Sequence, residues 1–383
     1  TRKESSAASD VYKRQMKKLI TFIAFSVLFI PAMIAGRVIV VDGSDGSPVI
    51  GATVFSSSGL ILGATDADGN TPDVNEASYP LTIHSLGYKE GIAATPGDTL
   101  MMNAAAYDLP PVTVMPGERP ITRVVCYVRE YSTGATDRDT LKMYSEYMVE
   151  SYHIDEGTKV KGYHKYDAYP SARRTRRFAH YTGADGRDSV ATPEDDEYIS
   201  FMNFLVSLPV DVFEEPDTIK NGALTDTVQG RYSPGIFYKK TPELLTVTSD
   251  ALSNHKNHVY SPNVFKFFGL TIDIREMNLS FAYKANPSGK YTIHDFLYEI
   301  SSANILGRGK WIKKAFKTKN PVEIDSNVEV YPVEINYLTV DEYKEQRKEH
   351  NKLEFRIPDN ALPVLPSIQR LIDRINTAGK DTK

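Results

Sequence analysis

The sequence predicts an all-β sandwich followed by an α+β domain. Glycine, proline and aspartate recur at turn spacing from Gly36 to Tyr88, with short β-branched runs between them. Beyond Gly117 the texture changes to longer, tyrosine-rich segments in which helical and strand patterns mix. Frequent turn residues without a helical period between them are the signature of a sandwich or small barrel.

Arg37 to Val41 reads as the first strand, closed by Asp42-Gly43 and Asp45-Gly46, residues that accept turn conformations others resist. Gly51-Ala52 ahead of Thr53-Val54-Phe55 predicts a close backbone approach at a strand start. Gly59 and Gly63 bracket Leu60-Ile61-Leu62, Asp68-Gly69-Asn70 makes another turn, and Tyr79 to His84 is a further strand.

These residues resemble the carboxypeptidase regulatory-like domain, a transthyretin-like sandwich found at the amino terminus of Bacteroidota cell-envelope proteins. The Gly-Arg-Val opening at Gly36, the Gly-x-Pro-Val-Ile-Gly-Ala-x-Val stretch from Gly46 to Val54, the Thr-Asp-x-x-Gly turn at Thr65 to Gly69 and the Gly87-Tyr88 close carry the resemblance. Asn70 stands where the family usually has an aromatic. Leu109 to Val114 is similar to the valine-rich strand that ends many such modules, so the resemblance implies a sandwich over residues 36–115.

Met16-Lys17-Lys18, the apolar run Leu19 to Ile30 and the exit Ala32-Met33-Ile34-Ala35 have the form of a secretory signal peptide over 16–35, with cleavage near Ala35-Gly36. An uncleaved anchor would have to span a membrane with Leu19 to Ala35, a short run interrupted by Pro31. Residues 1–15 look like translated adaptor sequence and are set aside. The expected location is exported, in the periplasm or associated with the outer membrane, with no transmembrane domain in the mature chain.

The whole chain has a net charge of −4, and residues 1–35 hold six Lys/Arg and two Asp/Glu, so the remainder carries −8. An acidic balance disfavours non-specific nucleic-acid binding. With 41% hydrophobic residues, 23 tyrosines and 16 phenylalanines, the chain can bury ordinary globular cores. Cys126 is the single cysteine, set in the strand-like run Arg123 to Val128, and reads as a buried inert thiol.

Residues 116–383 form the second predicted domain. Leu141, Tyr144, Met148 and Tyr152 share a helical face, as do Tyr198, Phe201, Met202 and Leu205 after the acidic run Glu194 to Glu197. Strands are expected at Gly235 to Lys239, Leu244 to Thr248, Leu270 to Tyr283, Tyr291 to Ile300, Val322 to Ile324 and Val328 to Leu338. Thr339 and Glu342 have capping-box spacing ahead of a helix, and Ile368, Leu371, Ile372 and Ile375 predict a closing one. A 22-stranded outer-membrane transporter would need about 220 strand residues at ~10 per strand, more than these segments provide.

His153 and Glu156 have the His-x-x-Glu form of a zinc peptidase, with His255, His258 or His294 as a third ligand, but a catalytic zinc also needs a separate general base and a fixed scaffold. Among eight histidines such a spacing arises by chance, and no metal, cofactor or catalytic residue is assigned. Gly307-Arg308-Gly309-Lys310 lacks phosphate-loop spacing. The binding candidate is the cationic, aromatic-interleaved segment with Lys161, Lys165, Tyr166, Tyr169, Arg173, Arg174, Arg176 and Arg177. Arginine forks suit phosphate or carboxylate and tyrosine faces suit sugars, so an envelope protein, a glycan or a lipid headgroup fits it. The alternative for the segment is a strand pair whose charges meet Glu194 to Glu197 or Glu214-Glu215. The sequence therefore predicts a non-catalytic exported envelope protein, a docking or spacer sandwich with a partner-binding α+β domain. The alternative is an envelope hydrolase whose site the sequence does not advertise.

Overall fold

The computed structural model describes residues 35–105, 119–135, 140–155, 158–161, 171–182, 188–191, 213–229, 235–250, 264–267, 270–315, 318, 320–348, 353–359, 361–366, 368–370 and 372–373. Three predicted pieces lie outside these residues: the leader before Ala35, the strand Leu109 to Val114 and the helix around Tyr198 to Leu205.

The turn chemistry of the first hundred residues produces eight short strands. They are β1 (Ala35–Gly36), β2 (Ile39–Asp42), β3 (Thr53–Phe55), β4 (Ile61–Ala64), β5 (Val74–Asn75), β6 (Leu81–His84), β7 (Gly91–Ala93) and β8 (Thr99–Met102). A sheet of order β4-β3-β6-β7 faces the parallel pair β2-β8 across a core of Val38, Val40, Val54, Leu81, Ile83 and Met102. Local side chains fasten it. Thr65 Oγ1 donates to the Val49 carbonyl at 2.6 Å and accepts from the Ala52 N–H at 2.9 Å, while Thr71 Oγ1 accepts from the Val38 N–H. Gly69 has φ +77°, and a Cβ there would sit 2.4 Å from the Val40 carbonyl oxygen, so only glycine fits this turn.

The rest of the described chain is dominated by one eleven-stranded antiparallel sheet. Its strands are β9 (Ile121–Ala135), β10 (Thr140–Ile154), β11 (Ser171–Thr182), β12 (Asp188–Ala191), β14 (Thr225–Gln229), β15 (Gly235–Lys240), β16 (Leu244–Asp250), β17 (Val264–Phe267), β18 (Leu270–Lys284), β20 (Phe296–Gly309) and β21 (Val322–Leu338). The remaining pair, β13 (Phe213–Glu214) and β19 (Lys290–Tyr291), stands apart. Helices are short: α1 (Asp217–Lys220), α2 (Lys310–Ala315) and α3 (Val340–Lys348). The described second region is thus dominated by one sheet; of the helices expected there, the one at Leu141 to Tyr152 is a strand, while those after Thr339 and around Ile368 are helical.

The clearest departure is 140–154, read as a helix from Leu141, Tyr144, Met148 and Tyr152 and observed as β10. Tyr144, Glu146, Met148 and Glu150 lie opposite Tyr131, Arg129, Tyr127 and Val125 of β9, so the working period is two. Both faces of β10 are buried over most of its length, which hides the usual polar–apolar alternation. Its glutamates need cross-strand partners: Arg123 Nε donates to Glu150 at 2.7 Å, and Tyr144 and Tyr127 donate to Glu146 at 2.7 and 3.2 Å.

The strand order is β12-β11-β10-β9-β21-β20-β18-β16-β15-β14, with β17 also on β18. The last strand, β21, therefore closes the sheet between two meanders, and Leu338 pairs with Ile121 across most of the chain. The two expected strands at 322–324 and 328–338 are this one strand of 17 residues. One face carries Val124, Cys126, Val128, Ile305, Ile324, Val328 and Val330 in the largest apolar core. Cys126 is buried there, and burial, helped by the charge of Glu299, pushes its thiol far up, as expected for an inert cysteine. The capping box also forms: Thr339 Oγ1 accepts from the Glu342 N–H at 3.2 Å, and Glu342 Oε2 accepts from the Thr339 N–H at 2.8 Å.

Candidate functional site at the junction of sandwich and sheet

The sandwich is seated on the other face of the sheet. Gly51 and Gly87, both at positive φ, bring its turns against Thr248 and Ser280 and against Leu244 and Thr246, close enough that Thr248 Cγ2 would lie 3.0 Å from a Cβ at Gly51. The close approach expected at Gly51 is therefore to the second region. Phe55 and Ile61 join Tyr131, Tyr144, Leu365, Ile368 and Ile372 in one apolar cluster, so the carboxy-terminal segment, helical at 366, 368–370 and 372–373, clamps the sandwich onto the strands.

Several polar contacts cross the seam, three of them between side chains that bear on the site. Asn327 Nδ2 donates to Thr53 Oγ1 at 2.9 Å. Glu329, fully buried, receives the Arg129 guanidinium and the Tyr331 hydroxyl (2.6 Å), and His84 Nε2 of the sandwich lies 3.3 Å from its other oxygen. Burial alone would raise this carboxyl, but the Arg129 charge together with His84 and Tyr331 brings it down to about 2. Arg129 also donates to the Leu362 carbonyl at 2.8 Å, tying in the carboxy-terminal segment.

The third contact borders an open cleft of 1060 Å³ between the sandwich and the ends of β14, β15, β16 and β18. Lys239 reaches from β15 into the sandwich and donates to Asp42 and Ser47 at 2.6 Å each, with Asp45 at 3.5 Å and the Tyr88 ring centroid at 5.8 Å. Asp42 also accepts from Tyr88 at 2.7 Å and from Ser44. Burial opposes its ionisation, but the donors Lys239, Ser44 and Tyr88 outweigh this and hold its carboxyl well below the usual range. The cleft walls are apolar, with Leu86, Leu224, Leu244, Pro242 and Leu297, and exposed Lys284 stands at the rim. Lys240, beside it, is held by both oxygens of Glu215 at 2.8 Å.

The arginines of the cationic segment belong to one strand. Arg173, Arg174, Arg176 and Arg177 lie on β11, where neighbouring residues alternate between sheet faces. Arg174 and Arg176 stand opposite Met148 and Glu146, Arg177 opposite Ser145, and Arg173 falls at the bulge between Met148 and Val149. The row Arg176, Glu146, Arg129, Glu329 thus runs across four adjacent strands with alternating charge. Glu214 and Glu215 are engaged by Lys220 and Lys240 instead. Lys161 is exposed and lines a shallow depression with Asp341, Lys344 and Arg347 of α3. Lys165, Tyr166 and Tyr169 lie outside the described residues, as do Glu156, His255 and His258.

His153 contacts Ser151 Oγ at 3.0 Å, and His294 contacts Tyr337 at 3.0 Å. Among the described residues no group of three His, Cys, Asp or Glu is placed to hold a metal ion. Sequence reasoning missed the cleft because its walls come from segments about 200 residues apart; the signal it contained was the pair of turn glycines, Gly51 and Gly87.

No family model matches the chain, and no curated protein matches it. Among solved structures, it is similar to a chain described as "lipid-protein interactions in lipovitellin", at 12% identity over 57% of this chain and 25% of that one, with a TM-score of 0.27. At that score the likeness carries no argument about this protein. Among the described residues no helix is long and apolar enough to cross a membrane, which leaves strands unaddressed.

Proposed function

We propose that the chain is a non-catalytic exported cell-envelope protein that holds an envelope partner in the cleft between its sandwich and its large sheet. The observation that carries this reading is the open, apolar-walled cleft itself, whose bordering charges Asp42, Lys239 and Lys240 are already satisfied within the protein. Such a lining suits recognition of a partner surface more than chemistry on a bound substrate. On this reading the first unit is a carboxypeptidase regulatory-like, transthyretin-like sandwich used for docking, preceded by a cleaved signal peptide. Its many seam contacts make it a rigid wall of the site and argue against a free spacer.

A hydrolase would have to draw on a hydroxyl paired with an amine, and the described contact of that kind beside the cleft is Ser47–Lys239. There Lys239 Nζ donates to Ser47 Oγ and to Asp42 Oδ2 at 2.6 Å each, so the amine meets the hydroxyl as a donor and not as a base. The test is co-purification of the tagged protein from its native envelope, beside Leu224→Glu and Lys284→Glu variants, both at exposed cleft positions. A partner recovered with the parent chain and lost from both variants supports the reading. Recovery of the same set from all three, or of no specific partner, overturns it.

A further inference from the structure

A second chamber, of 240 Å³, lies beside the cleft, with Lys239, Tyr88, Leu86 and Thr246 as a wall common to both. Its floor is one register row across β14, β15, β16 and β18: Thr227 lies opposite Phe237, Phe237 opposite Thr248, and Thr248 opposite Ser280. Phe237 shares a strand face with Lys239, which reaches the sandwich, and a Cβ at Gly51 would lie 3.0 Å from Thr248 Cγ2 and 3.6 Å from Ser280 Oγ. The row therefore faces the sandwich, which roofs it with the turn from Ser47 to Ile50 and with Ser85. Thr225, two residues before Thr227, extends the floor on the same face.

This lining is rich in hydroxyls and poor in available charge. Ser280 donates to Thr248 at 3.2 Å, and Ser47 accepts from Lys239. Among the described residues, however, the hydroxyls of Thr225, Thr227 and Ser85 make no hydrogen bond, although Ser85 is only 7% exposed. A hydroxyl so buried costs stability unless something in the chamber bonds it. The charged residues of the described lining are Asp226 and Lys239. Asp226 alternates to the other face of β14, where the Thr218 hydroxyl donates to it, and the Lys239 ammonium is held by Asp42 and Ser47. A phosphate or carboxylate would find no uncommitted cation in this lining, and an apolar ligand would leave the hydroxyls unpaired.

We propose that the chamber binds one neutral sugar ring. A pyranose presents hydroxyls around its rim and C–H groups on its faces. Threonine and serine hydroxyls can each donate or accept, which matches the rim, and the Phe237 ring, whose π face is negative, suits the C–H side. The volume lies below the ~300–1,000 Å³ of drug-sized sites, so it admits a single ring. The site stands apart from the cleft reading, because it needs no envelope partner.

The experiment is ligand-observed NMR titration of the full chain with glucose, galactose, mannose and N-acetylglucosamine in turn. Binding of at least one of them, in the millimolar range or tighter, is expected. Thr227→Val, at an exposed position, and Phe237→Leu should each weaken it about tenfold. Ser85→Ala should weaken it by a similar factor with the urea midpoint unchanged, since the lost hydroxyl has no partner within the protein. No binding by any of the four sugars overturns the proposal, and so does an affinity unaltered by Thr227→Val and Ser85→Ala. Leu224→Glu changes the cleft alone, so loss of sugar binding in that variant would place the sugar in the cleft and overturn the chamber.

Discussion

In the sandwich, Thr65 finds its partners Val49 and Ala52 within sixteen residues; in the sheet, Arg129 reaches Glu329 two hundred residues away. The sandwich is built from strands of two to four residues whose ends are fixed by their own turns. The middle of the sheet is built from five strands of fourteen to seventeen residues whose buried glutamates, serines and tyrosines are tolerable only beside particular neighbours. Local instructions specify the first region. The second depends on pairing that must be completed across the chain, and its closing strand β21 arrives last, which places a large loop-closure cost ahead of its hydrogen bonds.

If that contrast holds, the largest single effect belongs to the long-range network. Arg129→Ala leaves the fully buried Glu329 carboxylate without its guanidinium and is expected to cost about 3–5 kcal/mol in urea unfolding. Replacing both with apolar residues of similar size should recover much of the loss, and a small effect of the single change would mean the network does not hold the sheet. Phe55→Ala tests whether the regions are separable. Its ring is buried among residues of both, so a loss of about 3–5 kcal/mol in one cooperative transition is expected. Two resolved transitions, with only the first shifted, would instead show a sandwich that folds alone.

Gly69→Ala probes the local side of the comparison. The added methyl meets the Val40 carbonyl at a left-handed backbone position, and more than about 1 kcal/mol should be lost. Thr339→Ala, which removes one half of the capping box, should cost about 1 kcal/mol by the same measurement. The pH response separates the seam contacts. With its folded-state value near 2 against an ordinary 4.5, Glu329 contributes fully above pH 4.5 and loses that contribution as pH falls toward 2. The Asp42 contribution has the same sign, being intact above its ordinary value of 3.8 and lost only well below it. Thermal scans of Glu329→Gln should therefore show less acid sensitivity between pH 4.5 and 2 than the parent chain.

How much was legible follows from the same contrast. Gly51, Gly69, Asp66 and the Tyr79 to His84 run announced the sandwich because turn and strand preferences are local, although the contacts that require glycine at Gly51 and Gly69 are to Thr248 and Val40. Thr339 and Glu342 announced a helix start for the same reason. The Leu141–Tyr152 stretch misled because Tyr144 and Met148 fall on one face of a helix and equally on one face of a strand. Glu146 and Glu150, which look solvent-facing in isolation, are buried against Tyr144, Tyr127 and Arg123. The arginines of 173–177, read as a binding segment, belong to strand β11 paired with β10, a partner that no local pattern announces.

By itself, then, the sequence determined the turns, caps and short strands of the first region and the inert character of Cys126, because backbone conformation and local hydrogen bonding depend on adjacent residues. Only the tertiary structure decided that 140–154 is a strand, that β21 lies between β9 and β20, and that Lys239 meets Asp42 at the edge of a cleft. Those outcomes rest on burial and charge pairing between residues far apart in the chain, and no local pattern encodes the partner that makes a buried charge stable.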